Sequence, residues 1–149
     1  MTDDCWYFAY GSNLDPERKE QRTGEIRSAR HSRLTGYRFA FNKLGKNGSG
    51  KANIIPDEAS EVWGVVYRCS QDTMRTLDRY EGVPDQYVRH IVRVVLDSGE
   101  ELEAAAYIAR AERVREGLKP DPSYLAHILT GARHHQLPTD YIKMIKGLK

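Results

Sequence analysis

The chain has 149 residues, 23 basic and 21 acidic side chains, a formal net charge of +2 and 40% hydrophobic residues. That length suits one domain able to bury about two thirds of its unfolded surface, and the apolar fraction excludes a mostly disordered chain. The small net charge implies no nucleic-acid partner, and no uninterrupted apolar run is long enough for a membrane span.

The N-terminal segment holds Asp3 and Asp4 and lacks the basic region and apolar stretch of a secretory signal, so a cytoplasmic location is expected. Cys5 and Cys69 can pair in principle. A single bridge makes no secreted disulfide framework, however, and reduced thiols fit a cytoplasm.

In chain order the elements form an α+β pattern without repeats, low-complexity segments or linkers, and one domain is expected over 1–149. Trp6 to Tyr10 has the aromatic enrichment of a strand. Asp15 fits an N-cap with Pro16 at the first helical position, which predicts a helix from Pro16 to about Thr23. Tyr37, Phe39 and Phe41 alternate with Arg38, Ala40 and Asn42, placing the aromatics on one face of a strand. Glu61 to Tyr67 is apolar and β-branched enough for a buried strand. Ser70 caps a short helix with Met74 and Leu77 on one face and Gly82 at its end. Tyr87–Leu96 and Glu101–Ala109 flank Asp97-Ser98-Gly99-Glu100 as a hairpin. Asp121-Pro122 opens a helix through about His134, and Pro138 starts a last one carrying Tyr141, Ile145 and Leu148. Strict βαβ alternation is missing, which excludes a doubly wound sheet.

The segment Tyr7-Phe8-Ala9-Tyr10-Gly11-Ser12-Asn13-Leu14 runs from an aromatic strand into glycine and small polar residues. Gly11 allows backbone angles that a side chain would forbid. Ser12 and Asn13 supply a hydroxyl and an amide, and successive turn N–H groups can converge on one anionic oxygen. On spacing alone, an ordinary strand-end turn explains the same residues.

Three other stretches attract attention without carrying chemistry. Gly45-Lys46-Asn47-Gly48-Ser49-Gly50-Lys51-Ala52 nearly matches a phosphate-binding loop. It fails because Ala52 has no hydroxyl for Mg²⁺ and because Asn53-Ile54-Ile55-Pro56 is a poor helix. His134 and His135 are adjacent, so on a helix they diverge by about a hundred degrees; surface positions are expected. Arg27, Arg30, His31 and Arg33 form a basic patch, and Arg110, Arg113 and Arg115 interleave with Glu112 and Glu116; both read as solvated surface.

A second segment, Leu77-Asp78-Arg79-Tyr80-Glu81-Gly82-Val83 with Tyr87-Val88-Arg89, completes a pattern when set beside the first loop. Glu61-Val62-Trp63-Gly64-Val65-Val66, Pro122-Ser123-Tyr124, Gly131-Ala132, Leu137-Pro138 and Tyr141 extend it over almost the whole chain. Together these stretches resemble the γ-glutamylcyclotransferase family. The resemblance implies a small mixed β-barrel with short peripheral helices, acting without metal or cofactor on a small γ-glutamyl substrate. The partner is that small molecule, with neither nucleic acid nor membrane, and a homodimer is compatible with the pattern.

The family converts a γ-glutamyl amino acid or amine into 5-oxoproline and the free amine. The substrate's own α-amino group attacks its γ-carbonyl, so no protein nucleophile is required. By resemblance Glu81 is the proton shuttle, base first and acid afterwards, and an apolar pocket would raise its pKa toward neutrality. Without the resemblance it reads as a solvated glutamate at a helix C-terminus. Tyr7, Phe8, Ala9, Tyr10, Gly11 and Ser12 are implied to bind the γ-glutamyl group, with Asn13 either orienting the turn or reaching the substrate. Tyr87 and Tyr124 are implied at the pocket, although core packing is the commoner fate of an isolated tyrosine. The glycine-rich stretch near 45–51 is implied to be a mobile loop beside the pocket.

The short connection Gly82-Val83-Pro84-Asp85-Gln86 also occurs in relatives acting on γ-glutamylamines, which leaves the leaving group open. A γ-glutamylamine or γ-glutamyl-antibiotic cyclotransferase is the enzymatic alternative. A ligand-binding module that lost turnover is the alternative of another class.

Overall fold

A computed structural model describes residues 4–24 and 27–148; Asp3 lies outside them. Five strands close into a barrel in the order β1-β3-β2-β4-β5. They are β1 Cys5–Ala9, β2 Ala29–Leu44, β3 Gly50–Cys69, β4 Tyr87–Leu96 and β5 Glu101–Ala109. All neighbours pair antiparallel except β1 and β5, which meet in parallel at Tyr7 and Ala105. The barrel is therefore mixed, and it closes through short seams: β2 meets β4 at Ser32–Leu96 and Arg33–Val95, and β1 meets β5 at Tyr7–Ala105.

The caps place the helices. Asp15 accepts a hydrogen bond from the Glu17 N–H and Pro16 occupies the first turn of α1, Pro16–Thr23. Ser70 accepts from the Thr73 N–H at the start of α2, Gln71–Glu81, and Gly82 ends it in the left-handed conformation at φ 68°. Two further helices, α3 Pro122–His134 and α4 Thr139–Gly147, follow the barrel. Among the described residues, no helix is long and apolar enough to cross a membrane.

Two strands are much longer than the sequence pattern indicates. β2 begins at Ala29, inside the stretch read as a basic surface patch, because Ser32 and Leu34 face inward while Arg30 and Arg33 face outward. The polar side chains there have carboxylate partners: Arg30 with Glu100, His31 with Asp97 and Arg33 with Glu61. β3 starts in the glycine-rich stretch, so a strand follows where a phosphate-binding loop needs a helix. Leu148, grouped with Tyr141 and Ile145 by spacing, is exposed because α4 ends at Gly147, whereas the other two are buried.

The core runs through the barrel and under α3, built from Phe8, Leu14, Val66, Tyr67, Ile128 and Ile145 among others. Cys5 and Cys69 are directly opposed across β1 and β3, and both are free thiols.

Candidate active site

The turn after β1 is a 3-10 turn over Ser12–Leu14, closed by Leu14 N–H to Gly11 O at 3.0 Å and Asp15 N–H to Ser12 O at 3.1 Å. The N–H groups of Ser12 and Asn13 take no backbone acceptor among the described residues. Four side chains from elsewhere grip this turn. Tyr67 donates to the Asn13 carbonyl at 2.9 Å, and the Asn13 amide donates to the Tyr7 hydroxyl at 3.0 Å. Arg22 donates to the Asn13 amide oxygen at 3.2 Å, and His135 Nε2 lies 3.0 Å from the Leu14 carbonyl. Asn13 therefore orients the turn, its amide spanning Tyr7 and Arg22. His135 is half-buried and structural rather than a surface residue, since it contacts both Tyr67 and the turn; His134 is exposed as expected.

Two glycines make room for this arrangement. At Gly131 on α3 an added Cβ would stand 2.2 Å from the Leu14 carbonyl carbon, so the helix can lie on the turn only there. Gly11 has φ −112°, not a left-handed angle, which corrects the conformational argument made from sequence. Its requirement is close approach: a Cβ would meet Ala52 Cβ at 3.1 Å and Tyr124 OH at 3.8 Å.

Beside the turn opens a cavity of about 590 Å³. Tyr7, Tyr10, Gly11, Ser12 and Asn13 line one side, and Glu81, Tyr87 and Tyr124 line the rest. Phe8 and Ala9 do not reach it. Both side chains are fully buried in the core, because strand alternation turns Phe8 away from Tyr7 and because Ala9 is too short.

Glu81 is the last residue of α2, and the left-handed turn at Gly82 leaves its side chain at the cavity wall. Among the described residues its carboxylate has neither an ion-pair partner nor a hydrogen-bond donor, although some of its surface opens to the cavity. Dense surrounding protein pushes its pKa to about 7, against the pull of Arg22, Lys43 and Arg18 toward the charged form. A carboxyl so placed can exchange a proton in either direction near neutral pH.

Tyr87 and Tyr124 clamp one peptide. Tyr87 donates to the Ala52 carbonyl at 2.7 Å, and the Tyr124 hydroxyl accepts from the Ala52 N–H at 3.0 Å. The Tyr87 proton is thereby committed, whereas the Tyr124 proton remains available to an acceptor in the cavity. Lys43, buried on the inward face that also carries Phe39 and Phe41, donates to Gln86 Oε1 at 2.6 Å.

The cations Arg18, Arg22 and Lys43 and the phenol of Tyr107 also line the cavity and were not singled out from sequence; Lys51, weighed there as a phosphate-loop lysine, lines it too. Two signals were present: Arg18 and Arg22 are spaced i, i+4 just after the turn, and Lys43 continues an aromatic, inward alternation. Gly45, Lys46 and Asn47 from the glycine-rich stretch border the same cavity. Among the described residues, no cluster of three or more His, Cys, Asp or Glu side chains is arranged to hold a metal ion.

Comparison with known proteins identifies the family and the fold. The model of the AIG2-like family matches residues 61–145. The γ-glutamylcyclotransferase of Homo sapiens is 33% identical over 96% of this chain and 78% of its own length, and that of Bos taurus gives the same values. A solved structure of a γ-glutamyl cyclotransferase superposes with a TM-score of 0.89 at 29% identity, covering 99% of this chain and 89% of the other. At 33% identity over most of both sequences, and with the same fold, this chain belongs to the γ-glutamylcyclotransferase family.

Proposed function

We propose that this protein converts a small γ-glutamyl compound into 5-oxoproline and a free amine, using Glu81 as the only proton shuttle. The observation that carries this reading is the unpaired Glu81 carboxyl, with a pKa of about 7, inside a cavity walled by the Ser12–Leu14 turn.

In the proposed sequence the Glu81 carboxylate takes one proton from the substrate's α-ammonium. The freed nitrogen attacks the γ-carbonyl carbon, and the carbonyl oxygen becomes an oxyanion. The Ser12 and Asn13 N–H groups and the Tyr124 hydroxyl are the donors placed to receive it. Glu81 then gives its proton to the leaving nitrogen and takes the surplus proton of the ring nitrogen, the old C–N bond breaks, and Glu81 hands that second proton to the departing amine. The amine leaves as an ammonium, the lactam keeps one hydrogen, and Glu81 is again a carboxylate. Preorganising an intramolecular attack supplies several kcal/mol of the barrier reduction without a protein nucleophile.

The carboxyl's freedom from any internal partner favours turnover over a module that only binds. The reaction involves neither nucleic acid nor membrane, and the two free thiols suit a reducing cytoplasm. The test is chromatographic detection of 5-oxoproline from a panel of γ-glutamyl dipeptides and amines. Tight binding of several panel members with no release would replace catalysis by the binding reading.

A further inference from the structure

The cavity carries more positive charge than cyclisation requires. Arg18, Arg22, Lys43, Lys46, Lys51 and Arg79 line it, against only Glu81 and Asp85. Several arginines elsewhere are matched by carboxylates: Arg27 and Arg68 with Asp4, Arg33 with Glu61, and Arg89 with Asp78. None of the six cavity cations has an ion-pair partner among the described residues.

These charges are grouped rather than dispersed. Arg18 and Arg22 stand one turn apart on α1, and Lys51 faces them from the start of β3. Burial and then Arg18 disfavour the Lys51 ammonium, with Asp121 as its partial compensation; burial and then Arg22 disfavour the Arg18 guanidinium. Lys51 Nζ lies 4.1 Å from the Tyr124 ring centroid, and among the described residues the buried Arg18 Nε has no hydrogen-bond partner. Two like charges held together at the mouth of a cavity make an unfavourable pair that an entering anion relieves.

A γ-glutamyl dipeptide with a neutral second residue brings two carboxylates. With the turn N–H groups given to the oxyanion, Arg22 and Lys43 are the cavity cations left for these two carboxylates. Arg18 and Lys51 are then still unmatched. Resting on the cyclotransferase reading, we propose that Arg18 and Lys51 form a subsite for a side-chain carboxylate on the leaving group. The preferred substrates are dipeptides in which an acidic amino acid is released, of the γ-glutamyl-glutamate or γ-glutamyl-aspartate type.

The decisive comparison is γ-glutamyl-glutamate against γ-glutamyl-glutamine, which have the same shape and differ by one charge. Wild type is expected to favour the acidic dipeptide by about tenfold in kcat/KM at low salt, the size of effect a charge-assisted contact gives in a partly open site. That ratio should fall toward one in Arg18→Gln and in Lys51→Met, fall with added sodium chloride, and recover in part in Arg18→Lys. Release of 5-oxoproline from both dipeptides with a wild-type ratio within twofold of one overturns the subsite and leaves the cyclotransferase standing. A ratio that survives in both variants also overturns it. If neither these dipeptides nor any other γ-glutamyl dipeptide or amine of the panel is turned over, the cyclotransferase reading falls. Calorimetry of both dipeptides on Glu81→Gln then still decides the subsite: equal affinities, or no binding, remove it.

Discussion

Replacing Glu81 by glutamine removes a charge and keeps a shape, and its two consequences point in opposite directions. The activity of Glu81→Gln should fall by roughly 10²–10⁴-fold, the usual contribution of a general acid–base group. Its stability should rise. The Glu81 pKa stands at about 7 in the folded protein against 4.5 ordinarily. A carboxyl with a raised folded pKa binds more protons folded than unfolded, so the wild type loses stability as pH climbs from 4.5 through 7. At about 1.4 kcal/mol per pKa unit the loss approaches ~3 kcal/mol, an upper figure because some Glu81 surface meets the cavity. Glutamine has no proton to lose, and among the described residues Glu81 has no hydrogen-bond or ion-pair partner to forfeit. The variant should therefore match wild type near pH 4.5 and exceed it at pH 8, with a melting temperature higher by roughly 5–10 °C. The assays are 5-oxoproline release and thermal unfolding at both pH values. Equal stability of the two proteins at pH 8 would show that Glu81 is an ordinary solvated carboxylate, and activity within twofold of wild type would remove it from the mechanism.

Because the carboxylate form starts the reaction, kcat/KM of the wild type should rise with pH through an inflection near 7; a flat profile from pH 5 to 9 contradicts the base role. Tyr124→Phe should leave the buried Ala52 N–H without its acceptor and lose the free hydroxyl proton, lowering kcat/KM about tenfold and stability by about 1–3 kcal/mol, read by kinetics and urea unfolding. Gly131→Ala gains about 1 kcal/mol of helix propensity yet drives a methyl into Leu14 and Asp15, so it should lower stability by about 1–3 kcal/mol and weaken substrate binding; a higher melting temperature would show that the turn yields easily.

Local chemistry made the helices legible. Asp15-Pro16, Ser70 with Gly82, and Asp121-Pro122 mark ends that the structure keeps, because a cap is settled within a few residues. The first halves of β2 and β3 escaped because their inward positions hold small or polar residues such as Ser32 and Asn53, which hide the alternation. Barrel closure has no local signature, since Tyr7 pairs with Ala105, and it entered only through the resemblance. Glu81 was likewise legible only through that resemblance, as a charged residue at a helix end looks solvated until neighbouring elements surround it. The cations around it are scattered from Arg18 to Arg79 in sequence and meet only in three dimensions.

The parallel seam between β1 and β5 orders events during folding. The β2–β3 and β4–β5 hairpins join neighbouring strands and can form early, but β1 cannot be flanked on both sides until the chain has been made through Ala109. The turn that carries Gly11 to Leu14 hangs on this strand, although it lies close to the N-terminus. A nascent or partly folded chain thus has the residues of the site long before it has the site. Recovery of ligand binding during refolding accordingly marks barrel closure itself, later than the return of most secondary structure.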